Sequence, residues 1–400
     1  MSVVRPLICV AAVVLTLHSR AADAPAGDAL APWRAGVTIK PVSDAPGRHT
    51  THAYYLTNPE SPDGTKLLFF SSKTANGESG EVVVLDRVTG KETVIARNVT
   101  CEDAHRVACQ QWTLGGKAVA YHDVREGKWG VYVVDLDTGK ERAVAPGLQI
   151  GFGQPAGEWL PVYGTHWNPG EHRGLMLANA RTGEIRTVTS IEQIEKMYAD
   201  YLAMQFPGKR VSVFFPVISP DLKHAFFKFA AGAGGDNFRG KVSDRQGLAV
   251  ANLETGQLEF QHDRWGHPAW YPNSSKILEV NHVFLDLTKQ KDRSGRIPGM
   301  PALNGAPHPS VSPDSRLFVT DGATDKIGGK PGEFCVLLGD INGGEGRYVV
   351  LHKFMASGGA KSWRRNHPHP IFSADGKRIY FNVNEGPWTQ LYVAEIGPGT

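Results

Sequence analysis

The chain has 400 residues, of which 41% are hydrophobic and 21% are charged, so it is long and apolar enough to bury a substantial core. Its formal net charge is only +3 and no basic run or basic helix is present, which argues against a nucleic-acid partner. The 45 glycines and 26 prolines are typical of a fold made of many short strands and turns.

The first 24 residues predict a secretory signal peptide. Arg5 provides the charged start, residues 7–17 form an apolar run too short to span a bilayer, and Ala22-Asp23-Ala24 has the small residues of a cleavage site. No later segment is predicted to cross a membrane, so we expect an exported protein, periplasmic or extracellular. Export permits disulfides. Of the three cysteines beyond the signal, the first two could pair: Cys101, Cys109 and Cys335.

After a lead-in over residues 25–48, predicted to be irregular, one unit repeats along the chain. It begins with a turn of the Ser-Pro-Asp-Gly type, in which proline fixes φ and glycine gives backbone freedom. Two apolar strands and a hairpin turn of the Asp-x-x-Thr-Gly type follow. The seven copies contain, in order, Ser61, Trp112, Val162, Ser219, Tyr271, Ser312 and Ser373.

A four-stranded unit of roughly 40–50 residues has the length of a propeller blade. The seven copies therefore predict an all-β fold, a seven-bladed β-propeller that occupies residues 49–400 as one domain. We expect residues 49–58 to add a strand to the last blade and close the ring. Residues 191–206 have apolar side chains at helical spacing and predict one short helical insertion, either packed on the side of the propeller or forming a wall of its site.

Three units carry a His-Pro segment at the same position, just before the predicted innermost strand: His267, His308, and the pair His367 and His369. Since these segments should converge at one mouth of the central channel, three or four neutral imidazoles would meet there. Such a group predicts a divalent metal ion (Zn²⁺, Mn²⁺ or Ca²⁺), catalytic or structural, and we expect no organic cofactor. Alternatively, His-Pro is a structural turn that recurs because the blade recurs.

A second group of candidates lies in the second, third and fourth units. The predicted catalytic residues are His105, His122, Tyr163, Arg173 and Arg245, and the predicted substrate-binding residues are His166, Trp167 and His267. A base, a phenol and a guanidinium suit β-elimination from a uronic acid. Arginine pairs the carboxylate in bidentate fashion, while histidine or tyrosine removes the C5 proton and another group protonates the leaving oxygen. Each residue alone could instead be structural.

The histidine segments resemble those of the oligogalacturonate lyases, which are seven-bladed propellers. The resemblance rests on the His-x-x-Trp of His267–Trp270, the single pre-strand His308, and His367-Pro368-His369-Pro370 leading into Phe-Ser-x-Asp-Gly. It implies a divalent metal held by three such histidines, with His267 as the base and Arg245 at the substrate carboxylate. The glutamine that completes the family's metal site falls on Arg364 here.

The general layout is similar to another propeller family, the ulvan lyases. Three stretches carry this resemblance, residues 54–64, 102–106 and 163–168. It implies that two histidines, a tyrosine and an arginine act over the propeller, and in chain order these fall on His105, His122, Tyr163 and Arg173. The metal would then be structural.

We therefore expect a secreted, monomeric lyase that cleaves an anionic, ulvan-like polysaccharide by β-elimination and leaves a 4,5-unsaturated uronate end. The alternative within the same class is an oligogalacturonate lyase with a metal-assisted mechanism. The alternative from another class is a non-catalytic binding propeller of the TolB type, in which the mouth would need no matched set of histidine, tyrosine and arginine.

Overall fold

The computed structural model describes residues 27–102, 106–165, 172–232, 244–263, 266–289, 293–305, 307–356 and 367–397. Within these ranges the chain forms seven four-stranded antiparallel sheets, the blades of a β-propeller, which confirms the predicted fold. The predicted signal peptide, residues 1–24, lies outside the described residues, as do His105, His166, Trp167 and Arg364. In the described part, no helix is long and apolar enough to cross a membrane.

In the first six blades the strands follow one another in chain order across the sheet, and the first strands of successive blades lie around the channel. Blade 1 consists of β2 (His49–Thr51), β3 (Lys66–Ser72), β4 (Ser79–Asp86) and β5 (Glu92–Thr100). Blade 2 consists of β6 (Gln111–Thr113), β7 (Ala118–Arg125), β8 (Lys128–Asp135) and β9 (Glu141–Pro146). Blade 3 consists of β10 (Gln149–Ile150), β11 (Trp159–Tyr163), β12 (Leu175–Asn179) and β13 (Ile185–Thr189).

Blade 4 consists of β14 (Val211–Ile218), β15 (His224–Ala231), β16 (Asp244–Asn252) and β17 (Leu258–His262). Blade 5 consists of β18 (Ala269–Trp270), β19 (Lys276–Glu279), β20 (Val283–Asp286) and β21 (Ser294–Arg296). Blade 6 consists of β22 (Ser310–Val311), β23 (Leu317–Ala323), β24 (Glu333–Asp340) and β25 (Tyr348–Met355). The second strands are almost entirely buried, which explains why each reads as an apolar run in the sequence.

Blade 7 joins the two ends of the described chain. It contains β26 (Ile371–Phe372), β27 (Arg378–Val383), β28 (Gln390–Ile396) and, on its outer side, β1 (Val37–Pro41). The expectation that residues 49–58 close the ring is wrong, because residues 49–51 form the first strand of blade 1 and residues 37–41 pair with β28. The lead-in is also more regular than predicted, since it contains α1 (Ala31–Ala35) before β1.

The closure is reinforced by a buried ion pair between blades 1 and 7. Arg378 donates to the Glu60 carboxylate from Nε at 3.0 Å and from Nη2 at 2.9 Å, and the Tyr380 hydroxyl donates to it at 2.5 Å. Arg87 adds a second guanidinium 3.5 Å away. Only 1% of the Glu60 side chain is exposed, so its charge depends on these partners.

The turns between the first and second strands share one hydrogen-bonding pattern. In four blades a serine hydroxyl donates to the aspartate two residues later at 2.5–2.6 Å, in the pairs Ser61–Asp63, Ser219–Asp221, Ser312–Asp314 and Ser373–Asp375. Each aspartate also accepts the backbone N–H two residues further on. The Ser-x-Asp repeat is therefore a turn signature of the scaffold and carries no chemistry.

The predicted helical insertion is present as two short helices, α2 (Ile191–Met197) and α3 (Ala199–Gln205). Ser190 caps α2 by a reciprocal hydrogen-bond pair with Gln193. The apolar faces of both helices join a buried cluster with β14 to β16. The insertion therefore packs on the side of blade 4, and its amphipathic pattern is explained by burial.

Cys101, Cys109 and Cys335 are buried, and the possible Cys101–Cys109 disulfide is not formed. The Cys109 thiol lies 3.7 Å from the carbonyl oxygens of Ile150 and Gly151.

Candidate functional site

Four histidines from three neighbouring blades meet at one mouth of the channel. His267 precedes β18, His308 precedes β22, and His367 and His369 precede β26. The ring centroid of His308 lies 4.3 Å from that of His267, 5.4 Å from that of His367 and 4.4 Å from that of His369. The shared position of the His-Pro segments in the repeat thus corresponds to a shared place in the fold.

Three of these histidines could hold a metal ion. One ring nitrogen from each of His308, His367 and His369 lies within 4.8 Å of the other two. His267 lies outside this group and stacks on His308 with an interplanar angle of 28°. The structure therefore separates the four predicted ligands into a ligand group of three and one neighbour.

A carboxylate that the sequence reasoning missed holds the group in place. Asp321, on β23, accepts hydrogen bonds from the backbone N–H groups of His308 and His369 at 2.7 and 3.0 Å. Its two oxygens also lie 3.0 and 3.1 Å from Nδ1 of His308. Since an ionised carboxylate only accepts, Nδ1 carries the proton and Nε2 keeps its lone pair for a ligand.

The donor set fits a divalent transition metal. Three imidazoles are typical ligands of Zn²⁺ and Mn²⁺-type ions, and a carboxylate behind a ligating histidine is a common orienting partner. Burial raises the pKa of Asp321 to about 6, against the opposing effect of His367 and two backbone N–H groups, so the carboxylate is ionised at neutral pH. His369 has a φ of 48°, a conformation that non-glycine residues adopt rarely and that its bond to Asp321 secures.

Aromatic side chains form the floor beneath the histidines. Tyr54 and Tyr55 are buried, and the Tyr54 ring lies 4.6 Å from that of His369 while the Tyr55 ring lies 5.2 Å from that of His308. Tyr54 stacks in turn on Phe152 at 5.3 Å. These aromatic contacts pack His308 and His369, which are 1% and 0% exposed, in fixed positions.

A buried basic group forms the wall on the side of blade 4. Lys228, on β15, donates to the carbonyl oxygen of Gly266 and lies near Glu279 and Arg245. The pKa of Lys228 is lowered to about 7. Burial is the main cause, Arg245 adds to it, and Glu279 opposes it. Arg245 is half-buried, and its guanidinium lies 4.4 Å over the ring of Phe214, which leaves its plane fixed.

The other predicted centre is a closed network around Arg106, which the sequence analysis did not single out. Arg106 donates to Glu102 at 2.6 and 2.9 Å and to the Tyr163 hydroxyl at 2.5 Å, and its Nη2 lies 3.4 Å from Nδ1 of His122. Nε2 of His122 is 3.2 Å from the Glu102 carboxylate. All four side chains are fully buried. The structure thus brings His122 and Tyr163 together, but within the interior.

The charges of this network are mutually compensated. Burial alone would raise the pKa of Glu102, but Arg106 and His122 outweigh it and lower the pKa to about 2. Burial raises the pKa of Tyr163 well above its usual value, against the effect of Arg106. Tyr163 is therefore a neutral phenol whose oxygen already accepts from Arg106, which is an arrangement for holding blades 2 and 3 together.

Arg173, another of the five predicted catalytic residues, is half-buried just before β12. Its backbone N–H donates to the Ser212 hydroxyl at 3.0 Å and its carbonyl accepts from Val213 at 2.8 Å, so it ties blade 3 to blade 4. Arg173 and Arg245 thus lie on adjacent blades, and Arg245 acts electrostatically on both Lys228 and Tyr163.

The residues that sequence reasoning missed share one signal. Lys228, Glu279 and Asp321 are charged residues inside or at the end of otherwise apolar second strands, in the stretches HAFFKFAA, KILE and LFVTDGA. A buried charge is costly unless it is paired, so a charge in such a strand indicates a partner on a neighbouring blade. The sequence does not say which partner.

No protein-family model matches the chain, and a comparison with curated proteins finds no relative. Among solved structures, an oligogalacturonate lyase in complex with manganese is similar, with 17% identity, a TM-score of 0.58, and coverage of 90% of this chain and 96% of that one. An oligogalacturonate lyase from Vibrio parahaemolyticus is 14% identical with a TM-score of 0.57, covering 90% of this chain and 97% of that one.

The same scaffold also occurs with different chemistry. A prolyl endopeptidase is 12% identical with a TM-score of 0.50, and the match covers 84% of this chain and 45% of that one. Fold and function are separable in such scaffolds. The comparisons therefore show that the chain has the seven-bladed β-propeller fold of the oligogalacturonate lyases.

Proposed function

We propose that the protein is a metal-dependent lyase that cleaves a uronate-containing oligosaccharide by β-elimination, with oligogalacturonate as the first candidate substrate. The observation that carries the proposal is the group of His308, His367 and His369, oriented by Asp321 and adjoined by His267. The fold shared with oligogalacturonate lyases, one of them solved with manganese, supports it. We further propose, from the N-terminal sequence, that the protein is exported.

The reaction needs three things from the protein. Elimination breaks the C5–H bond and the bond between C4 and the glycosidic oxygen of a uronate, and it forms a C4–C5 double bond. A base receives the C5 proton, and the leaving oxygen receives a proton from an acid or from solvent. A divalent ion held by His308, His367 and His369 would supply the charge that neutralises the uronate carboxylate and acidifies the C5 proton.

We propose His267 as the base that receives the C5 proton. It is half-buried at the mouth, its ring stacks 4.3 Å from that of His308, and it is not one of the three grouped ligands. Histidine is the side chain that most often serves as a general base. Arg245 is suited to pair a uronate carboxylate, because its planar guanidinium is pre-oriented by Phe214.

The alternative base, His122, is less suited to this task. It is fully buried and is held in the network of Glu102 and Arg106, as is the phenol of Tyr163. A substrate would have to displace an ion pair in the interior to reach either group, which is costly. This favours the mouth of the channel, and hence the metal-assisted scheme, over the scheme first expected for an ulvan-like substrate.

The test is the ultraviolet absorbance of the conjugated product during incubation with oligogalacturonate and, in parallel, with ulvan. We expect activity on oligogalacturonate that is lost on chelation and restored by Mn²⁺. His308→Ala should lose both Mn²⁺ binding and activity, whereas His267→Ala should lose activity and retain Mn²⁺ binding. His224→Ala is the control and should stay active, because His224 is the first residue of β15 and is not one of the histidines of the proposed site.

Absence of absorbance change on both substrates, with Mn²⁺ bound, would contradict the proposal and leave a binding propeller. Activity on ulvan alone would replace the substrate but retain the reaction. If His122→Ala and Tyr163→Phe fold normally but are inactive while His267→Ala is active, the proton transfer belongs to the Arg106 network instead.

A further inference from the structure

The backbone on either side of His267 is held by a buried side chain from another blade. Lys228, on blade 4, donates from Nζ to the carbonyl oxygen of Gly266. Tyr55, which follows the first strand of blade 1, donates its hydroxyl to the carbonyl oxygen of Pro268 at 3.0 Å. Lys228 and Tyr55 are each 1% exposed, so neither bond competes with solvent. The residue between the two carbonyls is His267.

The neighbourhood of Gly266 is built around the same lysine. A Cβ atom on Gly266 would lie 1.8 Å from Oε2 of Glu279, so only glycine lets this carboxylate approach the segment. Glu279 is 6% exposed and acts electrostatically on Lys228. A lysine in a strand of alanines and phenylalanines is expensive to bury unless it is both bonded and compensated. Here the Gly266 carbonyl and Glu279 meet those two needs.

We propose that Lys228, compensated by Glu279, is a positioning residue that fixes the backbone of His267 and thereby holds its imidazole against His308. The proposal rests on the proposed function in that His267 is taken as the base. Without the lysine the Gly266 carbonyl loses a buried donor, while the bond from Tyr55 to the Pro268 carbonyl remains. A displacement of about 1 Å at a reacting group can reduce a rate by roughly a hundredfold.

The protonation state of Lys228 does not alter this role. Its lowered pKa of about 7, caused by burial, means that charged and neutral forms coexist near neutral pH. An ammonium and an amine both carry N–H donors for the carbonyl. The lysine therefore acts through geometry, and its replacement should affect turnover more than substrate or metal affinity.

The experiment compares Lys228→Met, which keeps an unbranched side chain out to the ε position and removes the donor, with Lys223→Met, a change at an exposed lysine of the same blade. Four quantities are measured. They are kcat and KM on oligogalacturonate with saturating Mn²⁺, Mn²⁺ affinity by calorimetry, and the rate at which diethyl pyrocarbonate modifies His267, read by peptide mass spectrometry. For Lys228→Met we expect kcat to fall about 10–100-fold, with KM and Mn²⁺ affinity within about threefold of the wild type.

We also expect the modification rate of His267 to change at least about threefold in Lys228→Met, and all four quantities to be unchanged in Lys223→Met. Tyr55→Phe, which removes the second donor, should move kcat and the modification rate in the same direction. If Lys228→Met does not fold, Tyr55→Phe and Gly266→Ala, which displaces Glu279, replace it with the same expectations.

Unchanged kcat in a folded Lys228→Met would overturn the proposal, and so would a loss of Mn²⁺ affinity in proportion to kcat, which would place the lysine behind the metal ligands. If the wild type acts on no uronate, the proposed function fails, but the modification rate still tests the positioning. An unchanged rate at His267 would then refute it independently.

Discussion

At the scale of single residues, Asp321 orients two of the three grouped histidines, His308 and His369. It accepts two backbone N–H groups as well as Nδ1–H of His308. Asn in its place has one accepting oxygen and an NH₂ group that would face donors. We expect Asp321→Asn to weaken Mn²⁺ binding about 10–100-fold, measured by calorimetry. Asp325→Asn, an exposed change in the same blade, is the control, and equal affinities for the two variants would contradict this role.

The Arg106 network yields a prediction on stability and pH. The pKa of Glu102 in the folded protein, about 2, lies below its ordinary value of 4.5, so the carboxylate contributes stability above pH 4.5 that is lost as the pH falls toward 2. We expect Glu102→Gln to lower the free energy of unfolding by roughly 3 kcal/mol at pH 7.

Urea unfolding of Glu102→Gln and wild type at pH 7 and at pH 3 measures this difference, which should narrow at the lower pH. Glu81→Gln, which breaks a more exposed pair with Arg97, should have little effect at either pH. A difference that is independent of pH would show that Glu102 stabilises the protein by packing alone.

The histidines of the mouth could be predicted because they recur at one position of the repeat. Their partners could not, because Asp321, Lys228 and Arg106 act across blades or loops, and the sequence does not record which blade faces which. The charge in an apolar strand marks that a partner exists. Only the assembled ring shows that Lys228 donates to the carbonyl oxygen of Gly266 and that Arg106 donates to the hydroxyl of Tyr163.

At the scale of elements, the helical insertion depends on its first turn. Ser190 accepts from the Gln193 backbone N–H at 3.2 Å, and Gln193 accepts from the Ser190 backbone N–H at 2.8 Å. We expect Ser190→Ala to cost about 1 kcal/mol of unfolding free energy in chemical denaturation, whereas Ser190→Asp retains the cap. Equal losses in both variants would mean that the cap does not limit the stability of α2.

Most strands, turns and helices could be predicted from the sequence, with β1 as the exception. The Ser-x-Asp turns and apolar second strands have local signatures, and so does the amphipathic pattern of α2 and α3. The signature of β1 is short, because its five residues, VTIKP, alternate between half-buried and exposed on the outer edge of blade 7 and bury little. Its pairing with β28 is a property of the closed ring rather than of its own sequence.

At the scale of the whole molecule, closure depends on the pair of Glu60 and Arg378. Removing the guanidinium by Arg378→Met leaves a carboxylate whose side chain is 1% exposed, with Arg87 3.5 Å away as a weaker partner. We expect a loss of about 2–3 kcal/mol in unfolding free energy, partly recovered in the double variant with Glu60→Gln.

Thermal and urea unfolding measure these losses, and Arg97→Met, in a more exposed pair, is the control. A double variant as unstable as the sum of the two single ones would show that the residues do not act as a pair.

The pairing of β1 with β28 also sets an order in time. During synthesis the first six blades can form one after another, but β1 must wait until nearly the whole chain has been made before its partner exists. Such long-range pairing makes the last step of folding slow. Until it occurs, the outer edge of β28 stays open to pairing with other chains. Loss of β1 should therefore leave that edge exposed and cause aggregation even if the other six blades fold.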